Sequence, residues 1–100
     1  MRNYHVYILA AGCRTGLEVG ASASLIQRVW HLRRQGEQTS GMCPARRLVW
    51  CECWQSAEQA LMRERELQRW PQEWLCTLVE NENPLWLDLY PDLLKRTNVA

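Results

Sequence analysis

Apolar positions change their period along this chain, and each period predicts an element. Residues 4–10 (Tyr4-His5-Val6-Tyr7-Ile8-Leu9-Ala10) form a short, dense apolar run that reads as a strand. Ala11 to Gly16 carries two glycines at its ends and reads as a turn, and Leu17-Glu18-Val19-Gly20 reads as the returning strand of a hairpin. A helical stripe of Leu25, Val29 and Leu32, with Ile26 beside it, follows an N-cap at Ser22 or Ser24 and runs to about Gln35, where Gly36 is expected to stop it. A polar loop spans 37–44. Residues 48–53 are dense in large apolar side chains and read as a third strand.

Ser56 with Gln59 three residues on is a capping box, so a second helix opens there and runs to Trp70, where Pro71 ends or kinks it. A third helix covers about 72–80. The tail then passes through Pro84 and Pro91 to a frayed end. The order ββαβαα predicts an α+β domain, a small three-stranded antiparallel sheet flanked by helices. The domain is expected over residues 1–94, with a short flexible tail at 95–100.

Composition agrees with a single globular domain: 100 residues, 47% apolar and 23% charged, with six Trp to fill a core. No run approaches the roughly 18 apolar residues of a membrane span. The start shows no signal-peptide pattern, and five Cys in an odd, scattered set predict free thiols in a reducing cytoplasm. A zinc site built from Cys43, Cys51, Cys53 and a His is the alternative for the thiols. Against it, C-x-C on a strand puts both sulfurs on one face, with no second pair to close a tetrahedron.

Net charge is only +1, but it is unevenly spread. Residues 1–50 carry seven Arg against two Glu, and residues 51–100 five basic groups against nine acidic. Eleven of the twelve basic residues are Arg, the side chain whose fork suits phosphate. Arg33, Arg34, Arg46 and Arg47 are the candidate contacts to nucleic acid.

One residue breaks the pattern of the second helix. Ala57, Ala60, Leu61 and Leu67 define its apolar stripe, and Glu64 falls at the stripe's centre. An inward carboxylate has to be ion-paired, hydrogen-bonded or metal-bound. On the first helix Arg28 lies at the border of the apolar stripe, where its guanidinium can lean over the sheet. Arg28 and Glu64 together could clamp a phosphodiester, the Arg on the phosphate and the Glu on a divalent ion. His31 faces solvent. Trp70, Trp74 and Trp86 could form a protein contact surface, although Trp is equally at home in a core.

These residues in this order resemble the GIY-YIG nuclease superfamily, and within it the small, single-domain bacterial branch. The resemblance spans about residues 3–93. His5-Val6-Tyr7-Ile8-Leu9-Ala10 is similar to the branch's first strand, and Leu17-Glu18-Val19-Gly20 to its L-Y-V-G strand. Residues 24–32 are similar to its D-L-x-x-R-V-W-x-H helix, residues 60–70 to A-x-x-R-E-x-x-L-x-x-W, and residues 83–90 to its N-P-x-W-x-D-L-Y tail. The resemblance implies metal-assisted hydrolysis of DNA phosphodiesters with one Mg²⁺ or Mn²⁺. It makes Tyr7 and Arg28 catalytic and Glu64 the metal ligand, with DNA or another nucleic acid as partner and no membrane.

The departures fall on proton-handling positions. Glu18 stands where the family has the Tyr of its second motif, Leu32 where it has a His, and Cys43 aligns with a further Tyr. The branch's basic W-R-R-x-W-K stretch reads Trp70-Pro71-Gln72-Glu73-Trp74-Leu75, which removes phosphate contacts. Glu18 becomes a candidate altered base. Two functions follow: a metal-dependent endonuclease with an atypical site, or a catalytically degraded domain that binds nucleic acid or a protein.

Overall fold

The computed structural model describes residues 3–40 and 47–98. Strand β1 (Tyr4–Ala10) is the middle of a three-stranded sheet. Its run Val6 to Ala10 is buried throughout, as a strand covered on both faces demands. β2 (Glu18–Ser22) and β3 (Arg47–Trp54) flank it, both antiparallel to it, in the order β2-β1-β3. Tyr7 stands opposite Gly20 on one side and Cys51 on the other. A bulge interrupts the β1–β3 ladder between Ile8 and Leu9, because Ile8 pairs with Trp50 but Leu9 pairs with Leu48.

The β1–β2 turn closes through Ala11 N–H to Thr15 O (3.1 Å), and Gly16 adopts φ +62°. A Cβ on Gly16 would lie 2.6 Å from the Cβ of Ala11, so this position is closed to other residues by space as well as by backbone conformation.

Because side chains alternate across a strand, β1 divides the core in two. Val6, Ile8 and Ala10 point to one face, where Ala60, Leu67, Leu75, Val79 and Trp86 join them. Tyr7 and Leu9 point to the other, with Leu25, Val29 and Leu48. Helices α2 (Ala57–Arg69) and α3 (Gln72–Glu82) therefore cover the first face. Helices α1 (Leu25–Ser40) and α4 (Tyr90–Asn98) cover the second. The result is an α+β fold with helices on both sides of an antiparallel sheet. No helix among the described residues is long and apolar enough to cross a membrane.

Several element ends follow the local chemistry. Ser56 caps α2, its hydroxyl accepting from Gln59 N–H at 3.4 Å, and Pro71 separates α2 from α3. Other ends differ from the expectation. α1 passes through Gly36 to Ser40, since a lone glycine weakens a helix by about 1 kcal/mol without ending it. The expected frayed end is α4, so the boundary placed at residue 94 falls inside a helix. Pro91 is the second residue of α4, a position where a missing N–H is harmless, and Asp88 Oδ1 accepts from Tyr90 N–H at 3.1 Å to start the turn. The apolar stripe of α2 is narrower than expected: Ala57 and Leu61 are exposed, and the buried residues are Ala60 and Leu67.

The segment 83–89 ties α3 to the outer side of β3. Buried Asn83 donates from Nδ2 to Val49 O (3.0 Å) and Leu87 O (2.9 Å), and its Oδ1 accepts from Leu87 N–H (3.0 Å). Leu89 N–H donates to Leu48 O at 2.7 Å, and Leu48 N–H donates to Asp88 Oδ1 at 3.2 Å. Trp86 enters the core from this segment with φ +56°.

Candidate functional site

The sheet face under α1 brings three sequence-distant residues together. Tyr7 is held by Leu25 and Val29 of α1 and is only 3% exposed. Its ring lies over Gly20 of the neighbouring strand, where a Cβ would sit 2.5 Å from Cζ and against the hydroxyl. Arg28 precedes Val29 on α1, so it stands at the margin of the buried stripe. Its Nε–H donates to the Tyr7 hydroxyl oxygen at 3.4 Å, a long hydrogen bond. No carboxylate pairs with Arg28 among the described residues, and the guanidinium keeps donors free for an anion. Glu18 stands opposite Leu9 in register, so it belongs to the same sheet face, and it is exposed.

Glu64 sits elsewhere. It shares the sheet-facing side of α2 with Ala60 and Leu67, half-buried, and makes no hydrogen bond or ion pair among the described residues. α2 covers the Val6–Ile8 face, opposite the face of Tyr7. α1 and α2 both touch the edge strand β2, so a ligand reaching both Arg28 and Glu64 would lie along that edge. Among the described residues, no group of three or more His, Cys, Asp or Glu side chains is assembled for a metal. A hydrated Mg²⁺ needs only one or two protein carboxylates, and the uncommitted, half-buried carboxylate of Glu64 fits such an ion.

The candidate nucleic-acid contacts are dispersed. Arg34 is exposed on α1 with its guanidinium 4.8 Å from the centroid of the exposed Trp30 ring. Arg47 is exposed at the start of β3, and its Nη1 donates to Trp86 O at 3.5 Å. The side chain of Arg33 and the whole of Arg46 lie outside the described residues, as does Cys43. His31 is exposed, edge-on to Trp30 at 5.1 Å, while Leu32 packs into the cluster under α1. Cys51 and Cys53 share the sheet face of Tyr7 and His5 through the strand register.

Two titratable groups escaped the reading of the sequence. His5 has its Nδ1 buried without a partner, and burial lowers its pKa. Glu80 accepts from the Trp86 indole N–H (2.9 Å) and from Arg14 Nη1 (2.6 Å), and these two bonds, the first the stronger influence, lower its pKa.

Both shifts run in the same direction. A depressed folded pKa means that the unfolded chain binds the proton more readily, so the stability is present above the unfolded value and lost as pH falls through the folded one. For His5 the loss begins below the ordinary value of 6.5, and for Glu80 below 4.5. Urea midpoints between pH 8 and 3.5 should therefore decline in two stages. His5→Leu should flatten the first stage and Glu80→Gln the second. An unchanged slope between pH 7 and 5 in His5→Leu would remove His5 as the cause.

No family model, curated protein or solved structure matches this chain.

Proposed function

We propose that this chain is a GIY-YIG-type nuclease-like domain that hydrolyses nucleic-acid phosphodiesters slowly, with a divalent ion. The observation that carries this reading is the Tyr7–Arg28 hydrogen bond formed over Gly20. It joins the Tyr of the first motif, the Gly of the second and the helix Arg in one place. It also gives a physical reason for that Gly, which makes room for the Tyr7 ring.

In this reading Arg28 binds the non-bridging phosphate oxygens and carries the charge that grows on them in the transition state. Tyr7 accepts from Arg28 Nε, which leaves its own hydroxyl proton directed away from the guanidinium and toward water or substrate. Glu18, on the same face, takes the proton of the attacking water in place of a Tyr. Glu64 would hold Mg²⁺ or Mn²⁺, which supplies Lewis-acid polarisation of the phosphate when bound. The rate is expected to be low. Loss of a general acid or base typically lowers a rate on the order of 100- to 10,000-fold, and the family's second Tyr and helix His are both replaced here.

A second reading, a degraded domain that still binds nucleic acid, is favoured by one observation. Glu64 and Arg28 approach the sheet from opposite faces.

The test is nicking of plasmid, single-stranded and branched DNA at low salt with Mg²⁺ or Mn²⁺. Arg28→Ala should slow nicking on the order of 100-fold or more, as removal of one transition-state donor does. Glu64→Ala should abolish its metal dependence. Full nicking by Glu64→Ala would remove the metal assignment. Salt-sensitive binding without nicking by the parent protein would replace the first reading with the second, and absence of both would sink the two together.

A further inference from the structure

The α2–α3 face, opposite Tyr7 and Arg28, carries a feature that the nuclease reading does not use. Three shallow depressions run into one another there, the first and second sharing Met62 and Glu66, the second and third sharing Trp70. They form one groove from Trp54 past Met62 and Arg69 to Trp74. Met62 and Trp74 are 64% and 58% exposed, unusually open for side chains of their size. Trp70 and Trp74 meet edge to face with centroids 5.8 Å apart, Trp70 half-buried against the core and Trp74 open to solvent.

The charges of the groove are unevenly spent. Its two carboxylates, Glu52 and Glu66, both pair with Arg63, whose guanidinium also lies 5.4 Å from the centroid of the Trp70 ring. Arg65 and Arg69 are left with no carboxylate partner among the described residues. They are one helical turn apart on the exposed side of α2, where like charges repel and weaken a helix. A surface that sets two uncompensated guanidinia beside an open indole ring suits a ligand with regularly spaced anions and flat apolar groups.

We infer that this groove binds single-stranded nucleic acid, a base stacking on Trp74 and the phosphates resting on Arg65 and Arg69. Stacking on an exposed ring requires an unpaired base, which a duplex does not offer. The site needs neither Glu64 nor Arg28, so it stands or falls apart from the hydrolytic reading.

The test is titration of the protein with a fluorescein-labelled twelve-nucleotide oligothymidylate and with a duplex of equal length, from 50 to 200 mM salt. The oligothymidylate should bind more tightly than the duplex. Trp74→Ala should weaken it about tenfold or more, in the range of one lost base stack. Arg65→Gln/Arg69→Gln should flatten the salt dependence by roughly 1.4 in log–log slope, two single-strand phosphates' worth. Leu85→Ala, exposed and outside the groove, should leave the affinity unchanged. All three groove positions are exposed, and unchanged circular dichroism shows that a variant is folded. Equal affinity for the duplex, unaltered binding by Trp74→Ala, or an equal loss of binding in Leu85→Ala would each overturn the inference. Self-association that disappears in Trp74→Ala, with no oligothymidylate binding, would make the groove a protein interface instead.

Discussion

Trp86→Ala is expected to destabilise the fold by about 3–5 kcal/mol, the usual range for removing a buried large aromatic. The side chain is 2% exposed and packs among Val6, Ile8, Leu67 and Val79, so truncation empties a space bounded by the sheet and by both helices on that face. Neighbours can collapse into it only partly, because Trp86 enters from a backbone anchored on both sides. Its N–H donates to Asn83 O at 3.1 Å, and its carbonyl accepts from Arg47. Loss of the indole N–H also strips Glu80 of the hydrogen bond that does most to lower its pKa. Against a total stability of roughly 5–15 kcal/mol for a domain this size, that is a large share of the whole. Urea unfolding followed by far-ultraviolet circular dichroism measures the effect. Trp86→Phe keeps most of the volume and should lose far less. Equal losses in the two variants would shift the cause from the cavity to the indole hydrogen bond.

Gly20→Val is expected to lose about 3 kcal/mol, the upper end of the usual overpacking range. Any Cβ here collides with the Tyr7 ring, and the ring has nowhere to go: Leu25 and Val29 press it from above and Arg28 holds its hydroxyl. Gly20→Ala should give a smaller loss of the same origin. Pairing it with Tyr7→Leu, which removes the ring's far end, should restore part of the stability. A double-mutant cycle reads the coupling directly. Additive losses would mean that Gly20 is required for some reason other than the ring. The same variant is also informative about activity, because a displaced Tyr7 hydroxyl takes its hydrogen bond to Arg28 with it.

Much of this architecture is readable from residue patterns, and the failures have physical causes. The β1–β2 hairpin and the Ser56 cap of α2 are local: turn residues and a capping pair act within a few positions, so sequence windows capture them. α4 is hidden in the sequence because a tail with two prolines suggests a frayed end, although proline is favoured in the first turn of a helix. The spacing of Leu89 and Leu93, four residues apart and packed against the α1 face, was the usable signal. Leu61 was misassigned to the buried stripe because periodicity gives directions around a helix, not which arc a neighbour covers.

The site was legible in part for a related reason. Arg28 at the border of its stripe lies beside Tyr7 as the helix period suggests. Glu64 is turned toward the sheet, but which of the sheet's two faces its helix covers is a matter of topology that periodicity does not carry. Arg14 and Glu80 are 66 positions apart, and no local pattern announces such a pair.

The seam that segment 83–89 forms along β3 also governs how copies of this protein behave toward one another. An edge strand with open N–H and C=O groups is a template for another strand, and Leu48-Val49-Trp50-Cys51 is apolar enough to aggregate if offered. Leu89, Asp88 and Asn83 occupy main-chain groups of Leu48 and Val49, closing the first part of that template with a loop rather than a further strand. The residues that complete the fold thus also act as its gatekeeper. A nascent chain that ends before residue 83 holds all three strands but not the segment that covers Leu48 and Val49, so that end of β3 is open to another strand until the segment is made.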